Sequence, residues 1–132
     1  MEKIKVTYGT IMQAFVGIMV LLNSDNISYK TGLKLNKNVE AIKMLIEDYQ
    51  KEEKKLVDKY FKKDENGQPI PSENGGYELI PETVEEYKAD RNTLDTFEVE
   101  MTVYKIDVKE IGDVKIKPSL IPTLAFMVNF ED

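Results

Sequence analysis

The chain of 132 residues has no cysteine, no histidine and no tryptophan. Without cysteine it forms no disulfide and offers no thiolate to a metal, which fits an intracellular setting better than a secreted one. Without histidine it lacks the usual general base, the commonest zinc ligand and every Ser-His or Cys-His nucleophile pair. Any enzymatic reading is left with carboxylates, lysine, tyrosine or a hard cation held by oxygens. Also missing is a hydrophobic run long enough for a membrane span, which needs about 20 apolar residues. The longest candidate, Tyr8 to Leu22, stops at the polar "NSDN". The "MEKIK" before it supplies lysines, as a secretion signal would, but Glu2 dilutes their charge and no small-x-small cleavage site follows. The stretch reads as a buried helix, capped by Thr7 or Thr10 and preceded by a strand in "KIKVTY". Gly17 within it permits the close approach of another element.

What the chain does carry is charge, unevenly placed. The net charge is -6. Lys34 to Lys63 holds nine basic and six acidic residues, and Asp64 to Glu100 holds eleven acidic and two basic. This balance argues against direct nucleic-acid binding, which needs a basic footprint. The acidic segment reads either as a solvated face or as a docking surface for a basic partner.

The rest gives one α+β domain over 1–132, with no linker, repeat or low-complexity tract. From Tyr29 to Phe61, Leu35, Ile42, Tyr49 and Leu56 recur at seven, and Val39, Ile46 and Tyr60 form a neighbouring row that Glu53 interrupts. This predicts a helix of roughly 50 Å, folded back on the first one as a helical hairpin, with Gly32, Asn36 and Asn38 weakening its first turns. Its Glu53 end is the candidate for contact with another chain. The turn-rich centre has Asn-Gly at 66–67 and 74–75, predicting a small hairpin or an ordered loop with 68–71 facing 77–80. Its "DENG" lacks the carboxylate spacing of a calcium loop. "PETVEEYKADRNTLD" predicts a short helix facing inward through Val84, Tyr87, Arg91 and Leu94. "TFEVEMTVYKIDV" predicts a strand with Phe97, Val99, Met101 and Val103 on one face, and "IGDVKIK" a turn and a second strand. An apolar C-terminal helix then starts at Pro118 or Pro122, with Leu120, Leu124, Phe126 and Met127 on the core. The expected architecture is a helical hairpin against a small, mainly antiparallel sheet, with a short C-terminal helix.

The order of these segments resembles a family of small phage- and prophage-encoded proteins of unknown function from Gram-positive bacteria. The matching stretches are "VTYGTIMQAF", "KNVEAIKMLI", "KKLVDKY", the "KDENG" turn, "TFEVEM" and "IDVKEIGDVKIKP". Together they cover nearly the whole chain. The sequence departs from the family where Lys117-Pro118 replaces a Ser-Pro cap and where Pro122 follows. The resemblance implies a phage origin and a site of action in the host cytoplasm, and it brings no catalytic residue with it.

Three functions compete for this sequence. The first is a non-enzymatic protein that binds and modulates a bacterial host factor or defence system. It would use Glu73, Glu78, Glu85, Glu86, Asp90 and Glu53 as partner-facing charges, with no cofactor, no metal, no nucleic acid and no membrane. The second is a virion or tail assembly accessory that binds a phage structural protein and self-associates as a homo-oligomer. The third, a carboxylate enzyme with a divalent metal, lacks a convergent cluster to support it.

Overall fold

The computed structural model describes residues 2–73 and 75–131. The elements in chain order are β1 (Glu2–Thr7), α1 (Tyr8–Leu22), α2 (Tyr29–Tyr60), a 3-10 turn (Pro81–Thr83), α3 (Val84–Asp95), β2 (Glu98–Val103), β3 (Ile106–Asp107), α4 (Val108–Ile111), a second 3-10 turn (Pro118–Leu120), α5 (Ile121–Leu124) and β4 (Val128–Asn129). The protein is α+β, with a long helix and a small antiparallel sheet. The chain gathers into two compact units, Met1–Ile46 with Glu98–Asp132, and Glu47–Phe97.

In the first unit β1 and β2 pair antiparallel, with Ile4 opposite Met101, Val6 opposite Val99, and Lys5 opposite Glu100. The alternation sends Val6, Met101 and Val103 inward and leaves the charges outside. Thr7 ends the strand and caps α1, its hydroxyl accepting from the Thr10 N–H at 3.1 Å. Helix α1 buries Ile11, Ala14, Gly17, Ile18 and Leu21. Gly17 is needed for packing: a Cβ there would lie 3.0 Å from Leu124 Cγ, Cδ1 and Cδ2. Among the described residues no helix is long and apolar enough to cross a membrane. At the start of α2, Ser28 Oγ accepts from the Thr31 N–H, and Leu35, Val39 and Ile42 join the core.

Asn38 does not weaken α2. Its side chain is fully buried, its Oδ1 accepts from the Tyr104 N–H at 2.8 Å, and its Nδ2 donates to the Tyr104 carbonyl at 3.0 Å. Tyr104 follows the last ladder pair, Glu2 with Val103, so Asn38 takes over the backbone groups that the sheet no longer pairs. The chain then turns into β3, which pairs parallel with β4. The strand expected after Gly112 is absent: 114–117 is irregular, and the regular structure lies earlier, in β3 and α4. Glu110 Oε2 accepts from the Asp107 N–H at 2.8 Å, the return half of a capping box. Its Oε1 binds Lys34 Nζ at 2.8 Å.

The expected C-terminal helix is divided by its prolines. Pro118 opens the second 3-10 turn and Pro122 is the second residue of α5, each in a first turn where a missing N–H costs nothing. Leu124 and Met127 are fully buried, and β4 rather than more helix follows.

In the second unit the turn-rich segment is richer than a hairpin. Phe61 bridges Leu79, Lys63 bridges Pro69, and Pro71 bridges Tyr77, all antiparallel. The Lys62 N–H donates to Glu78, the Glu78 N–H to Ile70, and the Ile70 N–H to Lys62, closing a ring of three segments. Asp64 Oδ1 accepts from the N–H groups of Asn66 and Gln68, and Gly67 supplies a φ of 77°. Asn74, the first residue of the second Asn-Gly pair, lies outside the described residues.

Candidate functional site

The polar side chains of the second unit concentrate on α3 and the C-terminal half of α2. Pro81 starts the 3-10 turn and Glu85 and Glu86 fill the first turn of α3, where the helix dipole favours negative charge. Val84, Tyr87, Arg91 and Leu94 are half-buried, as their spacing predicts. Arg91 Nη2 pairs with Glu53 Oε2 at 2.7 Å, its Nη1 donates to the Tyr87 hydroxyl at 3.3 Å, and its guanidinium carbon lies 5.7 Å from the Tyr49 ring centre. The Tyr49 hydroxyl donates to Asp95 Oδ1 at 2.7 Å. Burial and the neighbouring Asp95 carboxylate push the Tyr49 hydroxyl well above its ordinary pKa, so it stays protonated.

A second group lies along the same helices. The Tyr60 hydroxyl donates to Asp90 Oδ2, and Lys59 Nζ stands 4.0 Å from the same oxygen. Tyr87 meets Tyr60 and Phe61 edge to face at 5.8 and 5.2 Å, and Phe61 meets Tyr77 at 6.4 Å. This arrangement holds carboxylates by donors from the same unit. Among the described residues no group of three or more acidic side chains is placed to hold a metal ion.

The six carboxylates nominated from sequence therefore divide. Glu53 pairs with Arg91, Asp90 receives Tyr60 and Lys59, and Glu78 stands 4.0 Å from Lys62 Nζ. Glu73, Glu85 and Glu86 are exposed, as is Glu82 beside them. Among the described residues Glu82, Glu85 and Glu86 form no ion pair within 4.0 Å, and Glu86 acts on the Lys59 ammonium only from farther away.

Sequence reasoning missed the exposed apolar surface. On α1, Met12, Val16 and Val20 stand on the solvent side, one turn apart, and Val16 is 57% exposed. On α2, Tyr29, Leu33 and Met44 are more than half exposed. The signal was present as apolar residues off the buried rows. Hollows also open on the described residues of the first unit. One, of about 580 Å³, is lined by residues including Lys105, Asp107, Ile121 and Phe130, and another, of about 330 Å³, includes Gln13, Val16 and Leu120. Set beside known proteins, the chain matches no protein-family model, no curated protein and no solved structure.

Proposed function

We propose that this is a phage-type, non-enzymatic protein that acts in the host cytoplasm by binding a bacterial host factor or defence component. One observation carries the choice of surface. Glu82, Glu85 and Glu86 crowd the head of α3, exposed, while Glu53, Glu78 and Asp90 face basic or hydroxyl groups of their own unit. Carboxylates outside a close internal ion pair, Glu86 having only the more distant Lys59 ammonium as a counter-charge, are the ones that steer a basic partner. The partner surface is accordingly narrower than the acidic segment as a whole.

The test is a tagged pull-down from Gram-positive bacterial lysate, with and without phage infection, comparing the wild type with Glu82→Lys/Glu85→Lys/Glu86→Lys. A stoichiometric host protein recovered by the wild type, lost with the variant and released by salt supports the reading. Equal recovery by both proteins removes this surface.

The exposed Met12, Val16 and Val20 stripe favours a second reading, a virion or tail assembly accessory bound to a phage structural protein. Presence in purified particles supports it, and absence from them counts against it.

A further inference from the structure

Helix α2 carries two seams. The one facing the core runs through Leu35, Val39, Ile42 and Ile46. The other lies on the opposite side, where Leu33, Lys37, Glu40 and Met44 are all exposed. Carried along the sequence in both directions, the same alternation of four- and three-residue steps reaches Lys30 and Glu47. This 3-4 alternation is the spacing of a coiled-coil seam.

Read forward, the seam is Lys, Leu, Lys, Glu, Met, Glu. Read backward, each apolar position stays apolar and each charge changes sign. We propose that this face of α2 pairs with the same face of a second copy of the chain, antiparallel, about a twofold axis near the midpoint between Asn38 and Val39. In that register Leu33 meets Met44 of the other copy, Lys37 meets Glu40, and Lys30 meets Glu47. A twofold interface demands such self-complementarity, because each residue contacts its partner's counterpart in both directions. A parallel pairing would set Lys37 against Lys37 and Glu40 against Glu40, so the charges select one direction. Within one chain, Lys37 and Glu40 stand only 3.9 Å apart in a loose pair with both side chains mostly in water, which leaves them available to a partner. With four charged residues among six, the association is weak and salt-sensitive. This pairing is independent of the acidic head of α3, so either idea can fail alone.

The test uses the absence of cysteine. Proteins carrying Leu33→Cys and Met44→Cys are oxidised under mild conditions, separately and as a mixture, at high protein concentration. The antiparallel register predicts a disulfide-linked dimer chiefly in the mixture. A linked homodimer formed as readily by the Leu33→Cys protein alone overturns it, as does no dimer in any sample. Sedimentation supplies a second arm. The wild-type mass should rise from 15.2 kDa towards about twice that with concentration. Lys37→Glu and Glu40→Lys should each abolish the rise, an equal mixture of the two should restore it, and the double swap should restore it alone. Association that ignores these reversals refutes the seam, as does a mass that stays constant at every concentration.

Discussion

Replacing Asn38 by leucine keeps the size of the side chain and removes both of its hydrogen bonds to Tyr104. The structure sets the magnitude. Asn38 is fully buried, and its bonds at 2.8 and 3.0 Å satisfy the Tyr104 N–H and C=O just where β2 leaves the ladder. Each buried backbone group left without a partner costs about 1–3 kcal/mol. Tyr104 itself is half-buried, so water reaches part of what is vacated, and the expected loss for Asn38→Leu is roughly 2–4 kcal/mol. Asn38→Asp adds a diagnostic. At neutral pH it keeps the acceptor, loses the donor and buries a charge; protonated, it donates to the carbonyl again. Burial raises the aspartic acid's pKa in the folded state, so its stability deficit is smallest in acid and grows as pH rises through that raised value. Urea unfolding followed by circular dichroism measures both variants, and amide hydrogen exchange at Tyr104 reports the local effect. An Asn38→Leu protein within about 0.5 kcal/mol of wild type, the range of a neutral surface change, would refute the reasoning.

Gly17→Ala places a Cβ 3.0 Å from three atoms of the buried Leu124. Overpacking of about 1–3 kcal/mol against a helix-propensity gain of about 1 kcal/mol leaves a net loss near 1 kcal/mol. The companion Leu124→Ala should be less harmful in the Gly17→Ala background than alone, and strict additivity would discount the contact. Glu110 has its pKa lowered first by the Lys34 ammonium and then by the Asp107 N–H. A depressed folded-state value gives stability that is present above the ordinary 4.5 and disappears as pH falls below it. Glu110→Gln should therefore be less stable than wild type at pH 7 and converge with it in acid, and a constant difference in urea midpoint across that range would exclude the ion pair.

Helices were the most legible part of the chain because their signals are local and redundant. Thr7, the apolar run interrupted only by Thr10 and Gln13, and "NSDN" each mark α1, and the rows at 35, 42 and 49 and at 39 mark the buried side of α2. The sequence also showed the inward face of α3. Asn38 was misread because an asparagine inside a helix is locally a weak choice; its value lies in a partner 66 positions away. Phe97 alternates with Val99 yet is 58% exposed, because β2 starts after it. The small strands β3 and β4 hold two residues each and leave little periodicity to read, whereas Asp107 and Glu110 were a capping-box signature open to inspection. For the candidate surface, the sequence supplied the carboxylates but not their neighbours. Only tertiary placement shows that Glu53 and Asp90 answer to Arg91, Tyr60 and Lys59, while Glu85 and Glu86 face water.

The ring through Lys62, Ile70 and Glu78 bears on solubility. An open hairpin presents a row of unpaired amides and carbonyls, a template on which other chains can stack. Here each of the three central residues gives its N–H to one neighbour and its carbonyl to the other, so the ring offers none of those six groups as a growing edge. The turn at one of its tips, around 64–68, stands outside that circuit. It is the place where an inserted epitope or fluorophore would be displayed without opening the ring.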